Sequence, residues 1–209
     1  MKYVAFFISC FTVLASLAPR SSAEVRLNEI LADPATDWNG DGNVDSKLDE
    51  WVEIINTGST PVDLSTYRIS DASAGESFRF ALTGTIAAGE AKVYFGSDVV
   101  AWQAANGVSQ FGFSLNNGGD TVTLYQVNGV DIATADAQAY VTAEVANDRS
   151  FGRLPVGTGN WVIFDALNPY TGSQPPTATG CSPSPGEAVS CPTPTQATTW
   201  GRVKALYRS

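Results

Sequence analysis

The sequence predicts an all-β fold, either an antiparallel sandwich or a barrel. Short stretches rich in β-branched and aromatic residues recur about every ten residues, and their apolar and polar residues partly alternate. Gly, Asn, Asp and Pro, which favour tight turns, separate these stretches. Only one short segment has a helical character. Together these observations indicate strands joined by tight turns.

The clearest strand signals are "VRLNEILA" (25–32), "EWVEIIN" (50–56), "AKVYFG" (91–96) and "DTVTLYQV" (120–127). Asn128-Gly129 suits a two-residue hairpin connection after the last of them. The segment "DVVAWQAANGV" (98–108) predicts a short helix or helical loop that Gly107 would stop.

Residues 1–23 have the pattern of a cleaved secretion signal: basic Lys2, an apolar run, then small residues at Ser21 and Ala23. Cys10 raises lipidation as a rival, which is disfavoured because most of the apolar run follows it. No later stretch approaches the roughly 20 apolar residues of a membrane span. We therefore expect a chain secreted or held in the cell envelope, extracellular or periplasmic, with no integral membrane span.

The charge balance argues against a nucleic-acid partner. The chain has 12 basic and 21 acidic residues, a formal net charge of −9. Removal of Lys2 and Arg20 with the signal leaves ten basic residues and a net charge of −11. Such a surface repels phosphate backbones.

Cys181 and Cys191 are the only cysteines left after the signal, and in an exported chain they predict one disulfide. A zinc site is excluded because the chain has no His and two Cys supply only two of four ligands. The absence of His also removes Ser-His-Asp and Cys-His catalysis.

Residues 171–209 differ in composition from the rest and predict a Pro- and Thr-rich linker that the disulfide pins. The chain closes on "WGRVKALYRS" (200–209), which is apolar and basic. We expect this end to dock on the acidic body; the alternative is a separate recognition or attachment tag.

Several motifs, in order, resemble the lamin-tail domain family as it occurs in exported bacterial proteins. They are the "NEI" strand, "DEWVEI", "NTGSTPVDLSTYRISD" and "LNNGGDTVTL", within residues 24–170. The resemblance implies an immunoglobulin-like β-sandwich for 24–170. It implies a binding or anchoring module without catalytic residues.

Glu29 lies two residues from both Leu27 and Leu31, on the same predicted strand face as these residues and Val25. This pattern predicts that Glu29 faces the core side of its strand or the sandwich rim. A buried carboxylate needs hydrogen bonds or a cation. We expect a satisfied structural acid rather than a catalytic one.

The stretch "DWNGDGNVDSKLDE" (37–50) has the ligand spacing of a calcium loop. Its oxygen donors would be the side chains of Asp37, Asn39, Asp41 and Asp45 and the carbonyl of Asn43. Hard oxygen donors on alternate residues suit calcium rather than zinc.

The loop departs from the helix-loop-helix pattern at position twelve, where Leu48 replaces a bidentate acid, so Asp49 or Glu50 must serve instead. The alternative is an acidic turn without an ion. Calcium is favoured because turn preference alone does not explain why no Lys or Arg occurs between Asp37 and Ser46. The ion would be structural, because no nucleophile or acid–base pair can be named beside it.

Three functions follow from the sequence. The first is a secreted, noncatalytic and monomeric module that binds an extracellular protein or glycan. The second is a calcium-dependent carbohydrate-binding module or adhesin, which needs an exposed aromatic platform. The candidate residues for that platform are Trp38, Trp102 and Trp200, whereas Trp51 and Trp161 are predicted to pack in the core. The third, a hydrolase, would require a deep pocket with converging carboxylates.

Overall fold

The computed structural model describes residues 25–173 and 176–192. The predicted signal peptide and the basic end of the chain lie outside these residues. The described residues form eleven strands and one α-helix: β1 (Val25–Leu31), β2 (Trp51–Asn56), β3 (Val62–Asp63), β4 (Tyr67–Ser70), β5 (Phe80–Ala81), β6 (Thr85–Ile86), β7 (Ala91–Phe95), α1 (Gly96–Ala105), β8 (Gly119–Asn128), β9 (Asp131–Val141), β10 (Ser150–Leu154) and β11 (Asn160–Phe164). Three short 3-10 turns accompany them: Leu64–Thr66, Gly75–Ser77 and Thr142–Glu144.

The strands form two main sheets, which confirms the predicted immunoglobulin-like antiparallel β-sandwich. One sheet has the order β11-β10-β1-β2-β7, and the other has the order β5-β4-β8-β9. β3 and β6 make a separate pair. Every strand pairing is antiparallel. β8 and β9 are joined by a two-residue turn, Gly129-Val130, one residue later than the sequence predicts.

The core lies between the two sheets and takes side chains from both. Its fully buried members include Leu27, Ile54, Ile69, Leu124 and Phe151. Each such side chain stabilises the fold by about 1.5–3 kcal/mol relative to exposure. β1 and β2 are buried on both faces, since nearly all of their residues are inaccessible to water.

A β-bulge in β1 moves Glu29 away from the core. The register of β1 against β2 shifts between Leu27 and Glu29, and the next core residue is Ile30. Glu29 therefore lies on the outer face of the five-stranded sheet, paired with Glu53 of β2. The prediction that Glu29 faces the core side is wrong, because simple alternation does not account for the extra residue.

Residues 176–192, here called the covering segment, lie on this sheet. The Ile163 N–H donates to the Thr177 carbonyl (2.9 Å), and the Thr179 N–H donates to the Ile163 carbonyl (3.1 Å). Cys181 and Cys191 form the predicted disulfide. The sequence predicts a linker here, but these residues are docked on the sheet. Backbone hydrogen bonds hold them there in place of the apolar side chains that they lack.

α1 begins directly after β7 and packs its first residue against the end of the acidic loop, residues 37–50. The Gly96 N–H donates to the Glu50 carbonyl (2.7 Å) and the Ser97 N–H to the Leu48 carbonyl (3.0 Å). A Cβ at Gly96 would lie 1.7 Å from the Lys47 carbonyl oxygen. The helix ends shortly before Gly107, whose φ of +67° suits the predicted stop.

Within the described part of the chain, no helix has the length and apolar content that crossing a bilayer requires.

Candidate functional site

The acidic loop joins β1 to β2, and Asp37 organises its first half. Its Oδ1 accepts the N–H groups of Gly40 (2.8 Å) and Asp41 (3.1 Å), and its Oδ2 accepts that of Gly42 (2.8 Å). Gly42 has a φ of +92°, which an L side chain rarely adopts. The chain thus curls around one carboxylate.

The next polar side chains hold the turns that follow. Asn39 Oδ1 accepts the Asp41 N–H (2.9 Å), and Asp41 Oδ1 accepts the Asn43 N–H (2.8 Å). Asp45 Oδ1 accepts two further N–H groups, from Leu48 (3.0 Å) and Lys47 (2.8 Å). These two hydrogen bonds lower the pKa of Asp45. The side chains of the predicted calcium ligands therefore act as backbone acceptors in this structure.

Asp49 closes the loop, whereas Glu50 points elsewhere. Asp49 is completely buried, and its oxygens accept the N–H groups of Asn39 (2.9 Å) and Asp45 (2.7 Å). The Glu50 Oε2 instead accepts the Leu115 N–H (3.3 Å). Of the two acids predicted to replace Leu48 as ligand, the structure brings only Asp49 to the loop, since adjacent strand residues face opposite sides.

The loop offers the kinds of oxygen donor that calcium prefers. Its side-chain donors are carboxylate and amide oxygens, and each oxygen carries more than one lone pair, so accepting an N–H leaves capacity for an ion. Among residues 25–173 and 176–192, no three Asp, Glu, His or Cys side chains are grouped so that they could hold a metal ion. The acids of the loop are therefore not gathered around one point in this structure.

Glu50 borders a hollow of about 400 Å³ at this end of the sandwich. Burial raises the pKa of Glu50 to about 9, although the Leu115 N–H opposes the rise. The carboxyl is therefore protonated at neutral pH. The sequence did not predict this hollow, because its walls come from distant turns: Ser46, Lys47, Asp71, Ser73, Ser114, Leu115, Asn116, Asn117 and Asp120.

The two other acids of the hollow serve the fold. The Arg79 Nε donates to Asp71 Oδ1 at 3.0 Å, which pairs the charge. Asp120 accepts the N–H groups of Ala72 (3.1 Å) and Asn116 (3.2 Å). Asp71 and Asp120 thus each hold a turn at the wall of the hollow.

Asp148 is a site residue that sequence reasoning missed. It lies after β9, yet its carboxylate accepts the N–H groups of Ala35 (2.8 Å) and Thr36 (3.0 Å) and the Trp38 Nε1–H (2.8 Å). Burial acts to raise the pKa of Asp148, but these hydrogen bonds outweigh burial and lower it. Asp148 has a positive φ of +54°, which is uncommon for a residue other than glycine. The sequence alone does not reveal this backbone conformation.

The described tryptophans form no exposed platform. Trp38 and Trp102 are half-buried: the Trp38 ring meets Trp51 edge-on at 6.1 Å, and Trp102 packs on the core. Trp51 is fully buried, though on the outer face of β2, and Trp161 packs against the core. Trp200 lies outside the described residues.

Comparison with protein families matches residues 18–139 to the family described as Lamin Tail Domain. This covers more than half of the chain and ends within β9, so β10, β11 and the covering segment lie beyond it. Comparison with curated proteins gives no match. Comparison with solved structures gives none either.

Proposed function

We propose that this chain, which belongs to the lamin tail domain family, is a noncatalytic binding or anchoring module that works outside the cytoplasm and is stabilised by a structural calcium ion. The family match supports the first part, since it places the chain in an immunoglobulin-like domain family. The export pattern of residues 1–23 and the Cys181–Cys191 disulfide support the location. The partner would be an extracellular protein or a glycan.

The state of the buried and half-buried acids supports a noncatalytic role. Glu29 is held by two serine side chains, Asp49 by backbone N–H groups, and Asp71 by an arginine. Each carboxylate has a structural use. A catalytic acid and base would need to face a common point in the hollow with pKa values pushed apart.

The observation that carries the calcium proposal is the loop between β1 and β2. Tight turns fix the positions of its side-chain oxygens through hydrogen bonds to backbone N–H groups. No basic residue occurs from Asp37 to Ser46. When bound, calcium would neutralise the repulsion among these acids and tie the ends of two core strands. The proposed donors are Asp37, Asn39, Asp41, Asp45, Asp49 and the carbonyl of Asn43.

The test is thermal unfolding of the mature protein in EDTA, in 10 mM calcium and in 10 mM magnesium. A dissociation constant of about 10⁻⁴ to 10⁻³ M, usual for extracellular modules, predicts about 1.4 to 2.7 kcal/mol of stabilisation by calcium. Asp41→Asn keeps the side-chain oxygen that accepts the Asn43 N–H but removes the charge. This variant should lose most of the calcium effect.

The matched control is Asp63→Asn, because Asp63 accepts the Ser65 N–H (2.9 Å) in the same kind of local turn outside the loop. Its calcium response should equal that of the wild type. Equal unfolding midpoints in EDTA and calcium for the wild type would refute the calcium site and leave an acidic turn. The family assignment would stand in either case.

A further inference from the structure

The covering segment is fastened to the sheet by buried carboxylates on neighbouring strands. Glu29 on β1 is completely buried. Its Oε1 accepts the Ser150 Oγ–H (2.5 Å) and the Ser184 N–H (3.1 Å), and its Oε2 lies 2.7 Å from the Ser184 Oγ. One carboxyl group thus joins β10 to the covering segment.

Glu53 on β2 makes the second attachment. Its Oε1 accepts the Asn28 amide N–H (2.6 Å), and its Oε2 accepts the Gly186 N–H (2.7 Å). Gly186 also sits above Val93 of β7, because a Cβ on it would lie 3.6 Å from a Val93 methyl. Ser184 and Gly186, the two residues that these glutamates hold, lie inside the ring that the disulfide closes.

No cation balances Glu29 among the groups that surround it in the described structure. Glu53 is its charged neighbour on β2, and Ser150 and Ser184 are its neighbours on β10 and on the segment. The arginines in and beside β10 bind other groups: Arg149 donates to the Asn168 carbonyl, and Arg153 donates to Asp136. On the segment, Glu187 is exposed to water.

Burial raises the pKa of Glu29 to about 7; its serine hydrogen bonds oppose the rise and the charge of Glu53 adds to it. Burial raises the pKa of Glu53 as well. Glu29 therefore changes its charge close to neutral pH while it is completely buried in the closed structure.

We propose that the covering segment is a pH-controlled strap, closed over the outer face of the sheet while Glu29 is protonated and loosened when Glu29 ionises. In the closed state Oε2 of Glu29 accepts from the Ser184 Oγ–H, and its other oxygen accepts from Ser150 and from the Ser184 backbone N–H. When Glu29 is ionised beside Glu53, the segment moves away and water hydrates the Glu29 carboxylate. The disulfide keeps residues 181–191 together, so the ring lifts as a unit.

The direction of the pH effect follows from the raised pKa. The contribution of Glu29 to closure is complete below its ordinary value of 4.5 and is lost as the pH rises through about 7. If the opened state restores the ordinary value, the opening equilibrium increases about 30-fold between pH 5.5 and pH 8.

Hydrogen–deuterium exchange of the intact, oxidised protein tests this between pH 5.5 and pH 8. Protection of the Ser184 and Gly186 amides, corrected for intrinsic exchange, should fall about 30-fold in the wild type. Glu29→Gln imitates the protonated carboxyl and should make protection independent of pH. Glu187→Gln, which removes an exposed carboxylate from the same ring, should behave like the wild type.

A wild-type protection factor that does not change with pH would overturn the proposal. So would a Glu29→Gln variant that loses protection as the wild type does. If that variant does not fold, the titration of the Glu29 carboxyl carbon can be followed by NMR in the wild type. A midpoint near 4.5 would overturn the proposal, and a midpoint near 7 with parallel loss of segment protection would support it.

Discussion

Replacing Gly96 with Ala has two opposite effects on the stability of the fold, and their sizes can be compared. Gly96 is the first residue of α1, and helix propensity alone predicts a gain of up to about 1 kcal/mol from Ala. The new Cβ would lie 1.7 Å from the Lys47 carbonyl oxygen and 2.8 Å from its carbonyl carbon. Both are backbone atoms at the end of the acidic loop, so no rotamer change relieves the contact.

The contact requires the helix start or the loop end to move by about 1 Å or more, and overpacking of this kind costs about 1–3 kcal/mol or more. We expect Gly96→Ala to lower the free energy of unfolding by about 2 kcal/mol, a fall in midpoint of roughly 4–8 °C for a domain of this size. The assay is thermal and urea unfolding in EDTA. Calcium should also stabilise this variant less, because the displaced loop end adjoins Asp49.

Gly89→Ala is the control for glycine replacement itself. Gly89 has a φ of +73° with nothing within 4 Å of a Cβ, so only backbone strain of about 1 kcal/mol applies. A Gly96→Ala variant that is as stable as the wild type, or more stable, would refute the steric argument and show that propensity decides.

Two further substitutions test the polar supports. Arg79→Met should cost about 3 kcal/mol in urea unfolding, because it leaves the buried Asp71 without its counter-charge; a loss below about 1 kcal/mol would contradict this. Asp148→Asn should cost about 1–2 kcal/mol at pH 7 by weakening the acceptor for Thr36 and Trp38, with a shift in Trp38 fluorescence. Because the pKa of Asp148 is lowered in the fold, its advantage exists above its ordinary value of 3.8 and is lost at lower pH. The stabilities of wild type and Asp148→Asn should therefore converge in acid, and a constant difference would contradict the prediction.

Four strands are recoverable from sequence because they are rich in β-branched and aromatic residues and are bounded by turn residues. The four stretches with the clearest strand signals correspond to β1, β2, β7 and β8, each within about one or two residues at its ends. The helix stop at Gly107 is recoverable because it needs a positive φ.

Other features have no local signature. The bulge that turns Glu29 outward depends on how β1 aligns with β2, not on either strand alone. The covering segment lacks apolar periodicity, since its attachment is made by Glu29 and Glu53 from strands far away in sequence. The calcium loop shows its spacing in one continuous stretch, but the separation of Asp49 from Glu50 becomes visible only once β2 is placed.

The order of strands in the larger sheet also governs when the protein can fold. β1 is flanked by β2 on one side and by β10 on the other, with Glu29 opposite Gly152, about 120 residues later. Contacts of such separation form slowly, since a long loop must close before they contribute. During synthesis β1 therefore has one open edge until β10 (Ser150–Leu154) has been made. If the chain is exported unfolded, in line with the location proposed above, this sheet is completed only on the far side of the membrane, where an oxidant for Cys181 and Cys191 is also found.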